Sequence, residues 1–197
     1  MSDIKPIRIF MTGVGGQGTL TATTLLANTV LSLGLPVTSG EIHGMAQRGG
    51  VVESTVLIGC MSPKIGHGEA DVMLGFEPTE TMRALPYLKS GGSIFSSSEY
   101  LLPLSVATGR ESCPELSTIE EAVKACTEDY LFLPCQTLGI EAGAVQAGNI
   151  ALLGAMAASG KTPITVEALA DTIRKSIKPK IVDVNLKALE LGAAKSA

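Results

Sequence analysis

The chain has 197 residues, of which 45% are hydrophobic and 17% are charged, and its formal net charge is −4 at pH 7. This length and apolar content suit a single folded domain spanning residues 1–197 and exclude a disordered chain. The negative balance and the scattered Lys and Arg residues give no support to a nucleic-acid-binding surface.

The first 33 residues predict a strand, a glycine-rich turn and a helix. Residues 7–11 form an apolar run, and glycines then cluster at positions 13, 15, 16 and 18. This G-x-G-x-x-G spacing is typical of a Rossmann-like strand-to-helix turn. A helix is predicted over residues 18–33. One of its apolar stripes contains Leu20, Thr24, Ala27 and Leu31, and an adjoining stripe contains Leu26, Val30 and Leu33.

Two further strands are predicted at residues 37–42 and 51–58, with eight residues between them. A parallel crossover needs a dozen or more residues, so this spacing predicts an antiparallel hairpin. A standard dinucleotide-binding half has a helix at this point. The expected fold is therefore a three-layer α/β/α domain with a Rossmann-like start and a mixed, partly antiparallel sheet.

The remaining elements are predicted from apolar periodicity and from the positions of Gly and Pro. Strands are expected at residues 70–76, 93–97 and 130–134, with a Gly91-Gly92 turn before the second of these. A helix over residues 79–88 has an inner face of Met82, Leu85 and Leu88. Ser117 and Glu120 predict a capping box for a helix that ends at Cys126. Further helices are expected at residues 142–159, 166–176 and 182–191, and residues 103–114 are expected to be loop with one edge strand.

The hairpin loop contains the richest group of polar side chains. Glu41, His43, Gln47 and Arg48 lie within eight positions of one another, next to Gly44, Gly49 and Gly50. An arginine can bind a carboxylate or phosphate through two hydrogen bonds, and a histidine can exchange protons near neutral pH. His43 and Arg48 are therefore the candidate catalytic residues. The alternative is an ordered loop whose polar groups hydrogen-bond to one another.

The glycine turn also has two interpretations. Gly13, Gly15, Gly16, Gln17 and Gly18 could contact an anion or a partner through free N–H groups at the start of the helix. In a free-standing nucleotide-binding protein, Glu41 would then bind a ribose hydroxyl. The predicted hairpin disfavours that reading, because the segment around Glu41 is polar rather than a buried parallel strand.

Metal, redox and membrane roles find little support in the sequence. The four cysteines contain no C-x-x-C pair, and the two histidines, His43 and His67, are far apart, so no metal site is expected. The N-terminus lacks a signal core, and the apolar stretch at residues 150–158 is too short to span a bilayer, which predicts a cytoplasmic protein. Asn149, in a helix of small apolar residues, is expected to be hydrogen-bonded within the core.

Three strings in the sequence resemble the gamma-type domain of 2-oxoacid:ferredoxin oxidoreductases, in particular the small subunit of the indolepyruvate-oxidising members. They are GVGGQG at residues 13–18, EIHGMAQRGG at residues 41–50 and GEADVMLGFEP at residues 68–78. Residues 149–155 and 185–188 are also similar to later motifs of that family. The second string is the most specific, and the likeness covers nearly the whole chain.

The resemblance implies a role within a larger enzyme. Such enzymes oxidatively decarboxylate a 2-oxoacid to its acyl-CoA and pass the electrons to ferredoxin. The likeness implies that thiamine diphosphate and the iron–sulfur clusters lie on a large partner subunit, with CoA as co-substrate and no cofactor on this chain. Within such an enzyme we expect Arg48 to bind an anionic group, with His43 and Gln47 as supports, and the isolated chain to be inactive. Self-association of the isolated chain stays open.

Overall fold

The computed structural model describes residues 5–43, 50–101 and 113–196. Within these ranges it contains six strands and seven α-helices. The strands are β1 (Ile7–Val14), β2 (Val37–His43), β3 (Val51–Ile58), β4 (Ala70–Gly75), β5 (Leu88–Ser97) and β6 (Tyr130–Leu133). The helices are α1 (Thr19–Ser32), α2 (Pro78–Ala84), α3 (Leu116–Cys126), α4 (Cys135–Ala142), α5 (Gly148–Ala158), α6 (Val166–Ser176) and α7 (Pro179–Ala193).

The six strands form one mixed sheet in the order β2-β3-β1-β4-β5-β6. β2 and β3 are antiparallel to each other, and β3 is antiparallel to β1. β1, β4, β5 and β6 are parallel. The prediction of an antiparallel hairpin after the first helix is confirmed, because the short connection between β2 and β3 leaves no room for a crossover helix.

The sheet separates two apolar cores, so the domain has three layers. Ile9 and Met11 of β1 point to the larger core, which they share with α1 and with helices α4 to α7. Phe10 points to the opposite face and packs with Ala84 of α2 and Val123 of α3. This alternation follows from the two-residue period of a strand. The predicted three-layer α/β/α fold with a Rossmann-like start is confirmed.

Within the larger core, α5 and α7 cross at two glycines. A methyl group on Gly154 would overlap the carbonyl oxygen of Leu189, and one on Gly192 would overlap the carbonyl oxygen of Ala151. Each helix therefore presents a glycine to the backbone of the other. The abundance of Gly and Ala in this part of the sequence reflects this close approach.

The burial of α1 differs from the apolar pattern in its sequence. Leu26 and Val30 are buried as part of the adjoining stripe, but Leu20 and Leu31 are exposed. Threonines occupy the buried face beside the leucines and valine. The Thr29 hydroxyl donates to the carbonyl oxygen of Leu25 at 2.7 Å and lies 2.9 Å from the hydroxyl of Thr172 on α6. Because its hydroxyl group is hydrogen-bonded, such a threonine can be buried at little cost in free energy, which its hydrophobicity alone does not reveal.

The helix between β4 and β5 is shorter than expected. α2 ends at Ala84, and Leu85–Tyr87 form a 3₁₀ turn that contains Pro86, a residue that cannot continue the helix. Leu85 and Leu88 pack in the smaller core as expected, but not as one helical face with Met82, since Leu88 already belongs to β5.

Two predictions near β5 and α3 are also wrong. Gly91 and Gly92 do not precede β5 but lie inside it, where the register with β4 shifts between Ala70 and Val72. Ser117 is not the cap of α3, because this helix begins at Leu116 and its N-cap residue is Glu115.

The helices of the C-terminal half agree in part with those predicted from the sequence. The single helix expected over residues 142–159 is instead a 3₁₀ turn (Val145–Ala147) followed by α5, and α4, which precedes them, was not predicted. The helix expected over residues 166–176 is confirmed as α6, and α7 is longer than expected at both ends. Most of the segment 103–114 lies outside the described residues. No helix in the described ranges is both long and apolar enough to cross a membrane.

The α5–α7 crossing gives a test of the packing. We expect Gly192→Ala to lower the free energy of unfolding by roughly 1–3 kcal/mol, because the added methyl must push the two helices apart. Urea unfolding followed by circular dichroism measures the change. The control is Ala125→Leu at an exposed position of α3, for which a change within about 0.5 kcal/mol is expected. Equal stability of Gly192→Ala and the unmodified chain would contradict the close crossing.

Candidate functional site at the carboxyl edge of the sheet

The strand order places a topological switch point between β1 and β4. From β1 the chain passes through α1 on one face to the β2–β3 hairpin on one side. From β4 it passes through α2 and α3 on the other face towards β6. In open α/β sheets, ligands bind outside the carboxyl ends of the strands at such a point. The turn after β1 and residues Phe76 and Glu77 after β4 lie there.

The glycine turn is closed by the side chain of Gln17. Its amide oxygen accepts a hydrogen bond from Val14 N–H at 2.8 Å, and its amide nitrogen donates to the carbonyl oxygen of Phe76 at 2.9 Å. One side chain thus joins the ends of β1 and β4. Gly13 is buried between Gln17 and Phe76, whereas Gly16 is exposed. Part of the predicted glycine string therefore packs inside the protein, and part faces solvent.

Asn149 at the start of α5 supports the same turn from the other side. Its amide nitrogen donates to the carbonyl oxygen of Gly18 at 3.1 Å. Gly18 is the N-cap of α1, with φ of 80°, and no side chain caps this helix by a hydrogen bond. A side chain at position 18 would be strained in this conformation and would also collide with Asn149. The expected hydrogen bond of Asn149 is present, but the residue is half-buried and faces a groove.

The hairpin loop leaves the sheet beside the glycine turn. Val14 pairs with Val51, and Gly15 N–H donates to the carbonyl oxygen of Gly50 at 2.9 Å. Glu41 lies in β2 opposite Ser54 of β3 and is exposed. The backbone of His43 ends β2. The two predicted site segments therefore begin at the same edge of the sheet. Gly44, Gln47, Arg48 and Gly49 lie outside the described residues.

Two adjoining cavities form a groove along this edge, with volumes of about 210 Å³ and about 590 Å³. Gly16, Gln17, Gln146 and Asn149 line both of them. The smaller cavity reaches Phe76 and Cys135, and the larger one reaches Lys178, Ile181 and Asn185. The groove thus has uncharged amide groups in its shared part, an apolar inner end and one lysine at its outer end. Such a surface suits an uncharged polar chain better than a metal ion.

Cys135 is a poor nucleophile although it lines the groove. Burial raises the pKa of its thiol to about 12, so the thiol is protonated at neutral pH. The N-terminus of α4 next to it is occupied by Glu99, whose carboxylate accepts from the N–H groups of Gln136 and Thr137 at 2.6 and 3.0 Å. This arrangement was missed because α4 itself was not predicted, although Pro134 and Gly143 flank it.

A buried carboxylate, Glu77, was also missed by the sequence analysis. Glu77 is 2% exposed and caps α2 by accepting from Glu80 N–H at 2.9 Å. Burial raises the pKa of its carboxyl group, the hydrogen bond from Glu80 N–H offsets part of the rise, and the charge of Glu80 adds to it. Burial, followed by the charge of Glu80, likewise raises the pKa of Glu53 on β3. Glu80 itself forms an ion pair with Arg83 at 2.6 Å. The sequence does contain a signal for this cap: proline favours the first position of a helix, so an acidic residue directly before Pro78 occupies the N-cap position.

No group of three or more His, Cys, Asp or Glu residues suited to a metal ion occurs among the described residues. The lining of the groove supplies amide groups for hydrogen bonding and an apolar inner end.

Comparison with known proteins identifies the family. The family model described as "Pyruvate ferredoxin/flavodoxin oxidoreductase" matches residues 8–195. The chain belongs to this family. It is 40% identical over 192 residues to "Indolepyruvate oxidoreductase subunit IorB" of Pyrococcus horikoshii, with 96% of this chain and 95% of the relative covered. The resemblance predicted from the sequence motifs is confirmed, and the comparisons give no support to a free-standing nucleotide-binding protein.

A solved structure and a longer relative extend this picture. The gamma subunit of keto/oxoacid ferredoxin oxidoreductase from Geobacter sulfurreducens has the same fold, with a TM-score of 0.71 at 23% identity, covering 96% of this chain and 98% of that one. "Ketoisovalerate oxidoreductase subunit VorA" of Methanothermobacter marburgensis is 29% identical over 97% of this chain but over only 37% of its own length. In that relative, the matching region is part of a longer polypeptide.

The raised pKa of Glu77 predicts how a substitution will respond to pH. Glu77→Gln keeps an oxygen that can accept from Glu80 N–H but removes the buried charge. Because the folded pKa lies above the unfolded value, the unmodified chain loses stability as pH rises through the folded pKa. We therefore expect the stability of Glu77→Gln relative to the unmodified chain to be greater at pH 7 than at pH 4 in urea unfolding. Glu120→Gln on the half-exposed face of α3 is the control, and a difference independent of pH would contradict the assignment.

Proposed function

We propose that this chain is the subunit without cofactors in a 2-oxoacid:ferredoxin oxidoreductase that uses indolepyruvate. It helps to form the site for CoA-dependent oxidative decarboxylation. The observation that carries the proposal is the near full-length likeness to an indolepyruvate oxidoreductase subunit, at 40% identity. The convergence of the glycine turn and the hairpin at one sheet edge supports it, since both segments belong to the motifs of that likeness.

In this proposal, the partner subunit carries out the electron transfer. A large subunit would bind thiamine diphosphate, which supplies the carbanion chemistry of decarboxylation, and the iron–sulfur clusters that pass electrons to ferredoxin. The complex would act in the cytoplasm, and the present chain would contribute binding surface only.

In this proposal the hairpin loop and the groove have different tasks. Arg48 binds an anionic group, either the carboxylate of the oxoacid or a phosphate of CoA, and His43 and Gln47 support it by hydrogen bonds. The groove would accept the uncharged amide-containing part of CoA, because its shared lining consists of Gln17, Gln146 and Asn149 beside Gly16. The exposed part of the glycine turn would lie against the ligand or the partner.

Reconstitution tests the subunit assignment. We expect the isolated chain to be colourless and inactive with indolepyruvate, and to give CoA-dependent reduction of ferredoxin only after addition of the larger subunit. Calorimetric titration of the isolated chain with NAD, NADP and FAD is the accompanying control. Turnover by the chain alone, a bound flavin or cluster, or micromolar affinity for a dinucleotide would contradict the proposal.

The role of Arg48 can be tested separately. We expect Arg48→Ala to raise the KM for CoA or for the oxoacid by about tenfold or more while the two subunits still assemble, because a charge-assisted hydrogen bond is lost. Arg48→Lys keeps the charge but not the paired hydrogen bonds and should give a smaller increase. Arg83→Ala, which removes an exposed arginine paired with Glu80, is the matched control. Unchanged kinetic constants for Arg48→Ala would remove this residue from the site.

A further inference from the structure

The segment from residue 9 to residue 40 contains no Asp, Glu, Lys or Arg. It includes all of α1, which lies on the outer surface of the helical layer. The other outer helices are different: α3 contains Glu120, Glu121 and Lys124, and α6 contains Asp171 and Arg174. A helix that faces water usually carries charges on its outer side. The exposed side of α1 is therefore unusual within this protein.

The exposed residues of α1 are uncharged, and the large apolar ones among them form a row. Leu20 is 54% exposed and Leu31 is 59% exposed. They are eleven residues apart, which is three turns, so they lie on the same side of the helix. Thr24 and Ala27 lie between them on this side. We call these four residues the outer stripe. It is the apolar stripe that the sequence predicts, but it points away from the core, which α1 contacts through Leu26 and Val30.

The outer stripe begins at the candidate site. α1 starts directly after the glycine turn, and its third residue, Thr21, lines the larger cavity together with Gln17 and Gly18. Leu20 therefore precedes a residue of the groove in the chain, whereas Leu31 lies at the far end of α1. A protein that covers the groove and continues along the same side of the domain would bury the whole stripe.

We propose that the outer stripe is the docking surface for the larger, cofactor-bearing subunit, an inference that rests on the proposed function. Two observations favour this partner over a second copy of the chain. The stripe starts at the end of α1 that adjoins the groove, which the larger subunit must approach to share a site. In the longer relative, the matching region is followed or preceded by further sequence of the same polypeptide, so a neighbouring part of the enzyme is available to cover it. The matching partner surface is apolar and uncharged.

The test introduces one charge far from the groove. Leu31→Glu should weaken binding of the larger subunit by at least about tenfold, because a carboxylate would be buried without a partner. Leu31→Ser, which removes only apolar contact, should weaken it less. Ala125→Glu on α3, across the sheet, adds the same charge at an exposed helix position and should leave binding unchanged. Circular dichroism and thermal unfolding confirm that each variant is folded, and binding is measured by interferometry with the immobilised larger subunit.

The outcomes separate this inference from the proposed function. If the unmodified chain does not bind the larger subunit, the proposed function fails and the inference fails with it. If reconstituted turnover is present but Leu31→Glu binds as tightly as the unmodified chain, the docking surface alone is wrong. If the isolated chain is a dimer that Leu31→Glu dissociates, with unchanged affinity for the larger subunit, the stripe belongs to a second copy and the inference is overturned.

Discussion

The pairing of β3 with β1 is the constraint on which the arrangement of the candidate site depends. All eight residues of β1 are paired with β3 in antiparallel register, and β4 occupies the other side of β1. Because Val14 is opposite Val51, the hairpin loop must leave the sheet next to the glycine turn. In a standard dinucleotide-binding half, a parallel strand and its crossover helix would occupy this position. The replacement of that crossover by a hairpin places the two ends of the loop, at His43 and Gly50, at the edge where ligands bind.

The domain supports this edge through side-chain contacts on both faces of the sheet. On the face of the larger core, Gln17 and Asn149 hold the glycine turn by hydrogen bonds to backbone groups. On the opposite face, Glu77 is buried at the start of α2, and its carboxylate caps that helix. The crossing of α5 and α7 behind them is close enough to require glycines, which fixes the position of Asn149 on α5. The shape of the groove is therefore determined by contacts that lie outside it.

The sequence predicted the topology better than it predicted the details of burial. The spacing between β2 and β3 was decisive, because chain length alone limits how two strands can be connected. The family likeness was found from three motifs that are local in sequence. By contrast, the outer stripe of α1 was not recognised as exposed, since periodicity shows that a stripe exists but not which neighbour covers it. α4 was missed because its eight residues are too few for a clear period, and Glu77 because the burial of a charged side chain arises from tertiary packing that a local pattern does not show.

The side chain of Gln17 uses both ends of its amide, and this limits what position 17 can accept. A glutamate would reach Val14 N–H but would have no proton to donate to the Phe76 carbonyl oxygen. An asparagine has both groups but is one methylene shorter and could not span the two strand ends. The turn is also held in place before any ligand arrives, so a ligand that binds there need not spend its own free energy on ordering the backbone. Among the polar residues of the edge, this one is constrained in length as well as in chemistry.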